Sequence, residues 1–118
     1  MQDYRRLVVW QRAHQFVVSV YAATAAFPGE EKYGLTSQTR RSAVSIQANI
    51  AEGCGRETTM ELRRFLYIAM GSASELDYHL LLARDLGFLE AASYQQLEKQ
   101  AAEIGRMLTG LIRSLKND

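Results

Sequence analysis

At 118 residues with a formal net charge of +1, the chain has room for one core and lacks the charge excess of a polyanion binder, a membrane-surface protein or an acidic tail. Hydrophobic residues make up 47% and charged residues 23%, the balance of a folded globular protein rather than a disordered one. The one cysteine, Cys54, excludes an internal disulfide. There is no apolar run of bilayer length and no signal-peptide start, so the expectation is a single cytoplasmic domain over residues 1–118.

Pro28 and the glycines at Gly29, Gly34, Gly53, Gly55 and Gly87 break the chain into four long segments. In the first, Trp10, Ala13, His14, Val17, Val20, Tyr21, Thr24 and Phe27 recur at helical spacing and predict one buried face, stopped by Phe27-Pro28-Gly29. The second, about Leu35 to Glu52, places Thr39, Ala43, Ile46 and Ile50 together and is expected to end on a left-handed cap at Gly53. Thr58-Thr59-Met60-Glu61 has the form of a capping box opening the third helix. That helix repeats Leu62, Phe65, Leu66, Ala69, Ala73, Leu76, Leu80 and Ala83 up to Gly87, a rod of about 42 Å. In the fourth, Tyr94, Leu97, Ala101, Ile104, Leu108, Leu111 and Leu115 alternate three and four apart, the seam of an antiparallel bundle. Short links between four helices predict an all-α, antiparallel up-down-up-down four-helix bundle with no strand.

A bundle helix should be polar on its outer side, yet the third helix carries Tyr67, Gly71, Ser74, Tyr78, Leu81 and Leu82 opposite its core face. The second does the same with Val44, Ala48 and Ala51. Scattered surface apolar residues are ordinary. Aromatic and small residues aligned along a whole helix instead predict an interface, and so a homo-oligomer.

Catalytic and metal chemistry find little to build on. His14 and His79 lie on different helices; Glu75 stands four residues before His79, which suits a hydrogen-bonded histidine at the core edge better than a metal ligand. Cys54, between Gly53 and Gly55, sits where a nucleophile would be accessible, but no base or orienting group is assigned to it. Gly53-Cys54-Gly55-Arg56 has backbone N–H groups and a guanidinium that would suit a phosphate, although the Gly-Lys-Ser/Thr ending of a Walker A loop is missing and capping already accounts for the glycines. The expectation is no catalytic residue, no metal and no cofactor. Charge is uneven: residues 1–64 hold nine basic and six acidic groups, a net +3, while residues 65–118 net −2. The basic groups come in doublets, Arg5-Arg6, Arg40-Arg41 and Arg63-Arg64, whose guanidinium forks suit phosphate and carboxylate equally. Salt bridges to Glu52, Glu57, Glu61 and Glu75 are the plainer reading of them.

Several stretches carry a family resemblance. Val9-Trp10-Gln11-Arg12-Ala13-His14 and the segment from Phe27-Pro28-Gly29 through Tyr33-Gly34-Leu35 to Gln38 are followed by Arg40-Arg41-Ser42-Ala43-Val44-Ser45-Ile46. Ala48-Asn49-Ile50-Ala51-Glu52-Gly53, Gly55-Arg56 and Gly71-Ser72-Ala73-Ser74-Glu75-Leu76 complete the series. In this order they resemble the four-helix-bundle proteins encoded by intervening sequences of bacterial 23S rRNA genes. Gln47 stands where that family usually has proline, so a local kink is expected to relax. The resemblance implies a cytosolic helical ring, typically a pentamer, without known enzymatic activity. It also implies kinship with the accessory proteins of diversity-generating retroelements, which present basic surfaces to nucleic acid and bind a reverse transcriptase. Carried over by position, Arg40, Arg41, Glu52, Gly53, Gly55, Arg56 and Glu75 are expected around the junction of the second and third helices.

Two readings follow. In one, Arg40, Arg41, Arg56, Arg63 and Arg64 of an oligomer bind RNA or DNA, subunit repetition multiplying a modest patch. In the other, the arginines are salt bridges of a protein scaffold or adaptor that binds a partner protein, with neither nucleic acid nor membrane involved.

Overall fold

The computed structural model describes residues 2–115; residues 1 and 116–118 of the expected domain lie outside the described residues. Four helices follow one another: α1 (Val8–Thr24), α2 (Leu35–Cys54), α3 (Thr59–Asp85) and α4 (Ala91–Ser114). Two short 3₁₀ turns, Tyr4–Arg6 and Gly29–Glu31, precede α1 and α2, and every regular element among the described residues is helical.

Local chemistry sets the boundaries. The Asp3 carboxylate caps the first turn by accepting the Arg5 N–H at 3.1 Å, and that bond, with the Arg5 guanidinium beside it, holds its carboxyl below the usual 3.8. Gly34 offers no side chain to cap α2, so the Glu31 carboxylate takes over and accepts the Leu35 N–H at 3.1 Å. The Thr58 hydroxyl accepts the Glu61 N–H at 3.1 Å and opens α3 as its sequence foretells. Gly87, at φ +80°, closes α3: its N–H reaches the Arg84 carbonyl and the Phe88 N–H reaches the Ala83 carbonyl. That paired return is the Schellman arrangement, for which a left-handed glycine is the natural residue.

Each neighbouring pair runs antiparallel, as the cross-helix contacts show. Arg40 meets Thr24 while Gln2 meets Cys54; Ser42 meets His79 while Gly53 meets Phe65; Arg84 covers the Tyr94 ring while Arg63 meets Leu115; and between α1 and α4 Arg12 pairs with Glu103 while Ser19 meets Gln100. Helices contact their sequence neighbours and α1 closes on α4, so the order around the bundle is the order in the chain; the α2–α3 seam is the most extensive.

The core is apolar and layered: Phe16, Ile46, Ile50, Leu66, Leu76, Leu80, Ile104 and Leu108 are fully enclosed. Each such side chain gains about 1.5–3 kcal/mol over an exposed one. In α1 the buried face is Val9, Ala13, Phe16, Val20 and Thr24; it shares Ala13, Val20 and Thr24 with the face expected and is turned from it by about 50°. Trp10 and Val17 are half-buried, and His14 and Tyr21 are exposed. Both faces of α1 hold apolar residues, and Trp10 packs at the rim, 4.9 Å from the Tyr4 ring and stacked on His14 at 5.4 Å. In α4, Ile112 is buried and Leu111 and Leu115 are half-buried.

At its C-terminal end α2 departs from expectation. The helix continues through Gly53 and Cys54, and Gly55 caps it with a right-handed φ of −81°. Gly53 is not a left-handed cap. It lies where a Cβ would stand 2.9 Å from the Phe65 Cβ, so glycine lets the two backbones approach. At Gln47 the helix runs unbroken, as expected of a helix freed from proline.

Candidate nucleic-acid interface

The end of α1, the connection to α2 and the first turns of α2 enclose an open concavity of about 580 Å³. It is lined by Tyr21, Lys32, Tyr33, Thr36, Ser37, Arg40, Arg41, Val44 and Ser45. Three of these are cationic, two are aromatic and none is a carboxylate. The connection's shape follows from its anchors. The Glu31 N–H returns to the Pro28 carbonyl, Lys32 to Gly29 and Gly34 to Glu31, while Phe27 buries its ring 5.9 Å from Phe88. With Phe27 and Leu35 held in the core, Lys32 and Tyr33 between them face solvent. Tyr33 is 87% exposed, with the Lys32 ammonium over its ring 5.5 Å from the centroid.

Arg40 and Arg41 are adjacent in sequence but do different work. Successive helical positions point about 100° apart. Arg40 turns toward α1, where its Nε donates to Thr24 Oγ1 at 2.8 Å, its Nη2 to the Tyr21 carbonyl at 3.2 Å, and its guanidinium lies 4.4 Å over the Tyr21 ring. It is a clamp between helices. Arg41 is exposed and also borders a second concavity with Gln38, Ser42, Ser45 and Glu75. There the Glu75 carboxylate stands 3.7 Å from His79 Nε2, and His79 Nδ1 lies 3.2 Å from Ser42 Oγ. His79 is the hydrogen-bonded histidine expected at the core edge.

The remaining arginines sit at the opposite end of the α2–α3 hairpin, roughly 20 Å along α2. Arg56 pairs with Glu52 at 3.4 Å and covers the Phe65 ring at 4.8 Å, as the salt-bridge reading expects. Arg63 donates through Nη2 to the Leu115 carbonyl at 2.5 Å, and Arg64 is exposed. The five arginines expected to form one surface are therefore divided between two ends. The carried-over set is likewise divided: Glu52, Gly53, Gly55 and Arg56 surround the α2–α3 junction, whereas Arg40, Arg41 and Glu75 do not, because antiparallel packing places them near the far end of the pair.

The backbone at residues 53–56 is engaged within the protein, as the capping reading of its glycines expects rather than the phosphate one. The Gly55 N–H goes to the Glu52 carbonyl, the Arg56 N–H to Gly53, and the Cys54 carbonyl accepts the Gln2 N–H. Cys54 is 2% exposed and burial pushes its thiol above 9.0, the reverse of an activated nucleophile.

The sequence profile of the 23S rRNA-intervening sequence protein matches residues 5–110. The chain belongs to that family. A crystal structure of a protein with unknown function from the S23 ribosomal protein family of Bacteroides thetaiotaomicron VPI-5482 is similar in fold and sequence. It shares 26% identity over 91% of this chain and 96% of that one, with a TM-score of 0.84. No curated protein matches the chain.

In this member of the intervening-sequence family the second stripe is open to solvent. Tyr67 and Tyr78 are 57% and 58% exposed and Val44 is 40% exposed; Ala48, Gly71 and Ser74 are exposed and Ala51, Leu81 and Leu82 half-buried. No helix of the described residues is long and apolar enough to cross a membrane, and no three of their His, Cys, Asp or Glu side chains gather as a metal site. Sequence reasoning missed Lys32, Tyr33 and Tyr21 as lining residues. The adjacent basic and aromatic pair Lys32-Tyr33, separated from the Pro28-Gly29 breaker by two residues, was the available signal.

Proposed function

We propose that the protein is a non-enzymatic homo-oligomer, a ring of about five subunits as its family resemblance implies, that associates with nucleic acid through the concavity at the α1–α2 end. The observation that carries this is the lining itself: Lys32, Arg40 and Arg41 together, with no carboxylate among them, on a chain whose net charge is only +1. Phosphate contacts from such a patch give salt-dependent binding with little sequence preference, and a ring repeats the patch in every subunit. Filter binding of a structured RNA and a duplex DNA at about 50 and 200 mM salt tests it. Affinity at the lower salt that falls steeply at the higher, and weakens on Arg41→Ala, supports the reading; absence of binding at both salts overturns it. Arg41 is the informative variant because Arg40→Ala and Arg63→Ala also remove contacts within the bundle.

Self-association rests on the exposed Tyr67 and Tyr78 of α3, whereas Val44, also exposed, lines the concavity itself. Light scattering at micromolar concentration is expected to give an oligomer, and a monomer removes the ring. The same face favours a second reading, a protein scaffold or adaptor without nucleic acid. An intact oligomer that binds neither probe selects it.

A further inference from the structure

We infer that the α1–α2 concavity takes single-stranded rather than duplex nucleic acid, with an unpaired base stacked on Tyr33 and the adjoining phosphates held by Lys32 and Arg41. This rests on the nucleic-acid reading above and narrows it to one form of the polymer.

Tyr33 carries the argument. A tyrosine that leaves 87% of its surface in water contributes nothing to the core. Yet its backbone is held on both sides, by the Lys32 N–H on the Gly29 carbonyl at 3.1 Å and the Gly34 N–H on Glu31 at 3.0 Å. The Glu31 carboxylate fixes the next step by capping α2 at Leu35. A flat aromatic face on an anchored turn is a stacking platform whose backbone is already ordered, so that only the side-chain torsions are left to fix at binding.

The surroundings suit an unpaired nucleotide. The Lys32 ammonium lies 5.5 Å from the ring centroid, a cation–π arrangement that brings a positive charge next to whatever stacks there. Arg41 supplies a second, exposed cation, and the hydroxyls of Thr36 and Ser37 line the same hollow. Its volume of about 580 Å³ falls within the range of small-molecule sites, about 300–1,000 Å³. Bases within a duplex are already stacked on their neighbours and cannot lie against a protein ring without being extruded, whereas unpaired bases stack freely on aromatic side chains.

The test is fluorescence anisotropy on the intact oligomer, using a short labelled RNA of mixed sequence, single-stranded and annealed to its complement, at about 50 and 200 mM salt. The single strand is expected to bind about tenfold more tightly than the duplex. Tyr33→Ala should lower single-strand affinity about tenfold and leave duplex affinity unchanged, and Tyr33→Phe should keep it within about twofold. Arg41→Ala should weaken both and make the salt dependence shallower. Circular dichroism and light scattering on each variant confirm that fold and assembly are kept. Equal affinity for strand and duplex overturns the inference, as does a Tyr33→Ala variant that binds the single strand as the parent does. If Arg41→Ala still weakens binding in those cases, the broader nucleic-acid reading survives alone. No binding of either form at the lower salt ends both.

Discussion

The arginine doublets at the two ends of the α2–α3 hairpin make a natural experiment. Arg40-Arg41 and Arg63-Arg64 share a pattern, with the first residue engaged by a neighbouring helix and the second exposed. Their settings differ. Arg41 borders a hollow with Lys32, Tyr21 and Tyr33 and no carboxylate, and a second cleft with Glu75, whereas near the other end Arg56 is already paired with Glu52. A doublet is thus one structural cation and one exposed cation.

The largest expected effect tests the scaffold at the second end. Gly53→Ala puts a methyl 2.9 Å from the Phe65 Cβ; the gain in helix propensity does not offset that overlap, and urea unfolding should show a loss of about 1–3 kcal/mol. Next, Arg40→Ala and Arg63→Ala should each cost about 1–2 kcal/mol through lost charge-assisted hydrogen bonds, against less than about 0.5 kcal/mol for Arg41→Ala and Arg64→Ala. Equal losses within a doublet would dissolve the distinction drawn between its members. Thr58→Ala, which removes the cap between Arg56 and Arg63, should cost about 1 kcal/mol, read in the same titration. The smallest effect comes from pH. The Asp3 carboxyl is held below its usual 3.8 by the folded turn, so its contribution is full above that value and fades as pH falls below it. The protection of the Arg5 amide, its exchange measured relative to the intrinsic rate at each pH, should fall there, and Asp3→Asn should remove that pH dependence of the protection.

Much of this was legible in the residues. Thr58 opens α3 and Thr39, Ala43, Ile46 and Ile50 share a buried face because a hydroxyl at a helix start and a clean amphipathic stripe each have one good solution. On α1 the expected Ala13, Val20 and Thr24 are buried, but Val9 and Phe16 take the places expected of His14 and Tyr21, because apolar residues border that stripe on both sides and only packing against α2 and α4 chooses between them. At Gly53 the residue type admits two uses, a left-handed turn or a close approach, and the choice depends on Phe65, twelve residues on. The concavity was hidden for a similar reason: Tyr21 and Arg40 lie nineteen residues apart and meet only because the connection after Phe27 folds α2 back along α1.

That connectivity bears on how the molecule forms. Residues 25–34, 55–58 and 86–90 join helices that already lie side by side, so three of the four seams close over short spans at small entropic cost. The fourth, where Arg12 reaches Glu103 across 91 residues, completes only once both ends of the chain arrive. Folding should therefore be fast, as for proteins dominated by local contacts. The α1–α4 seam would be the last to assemble and the first to part under force applied to the termini.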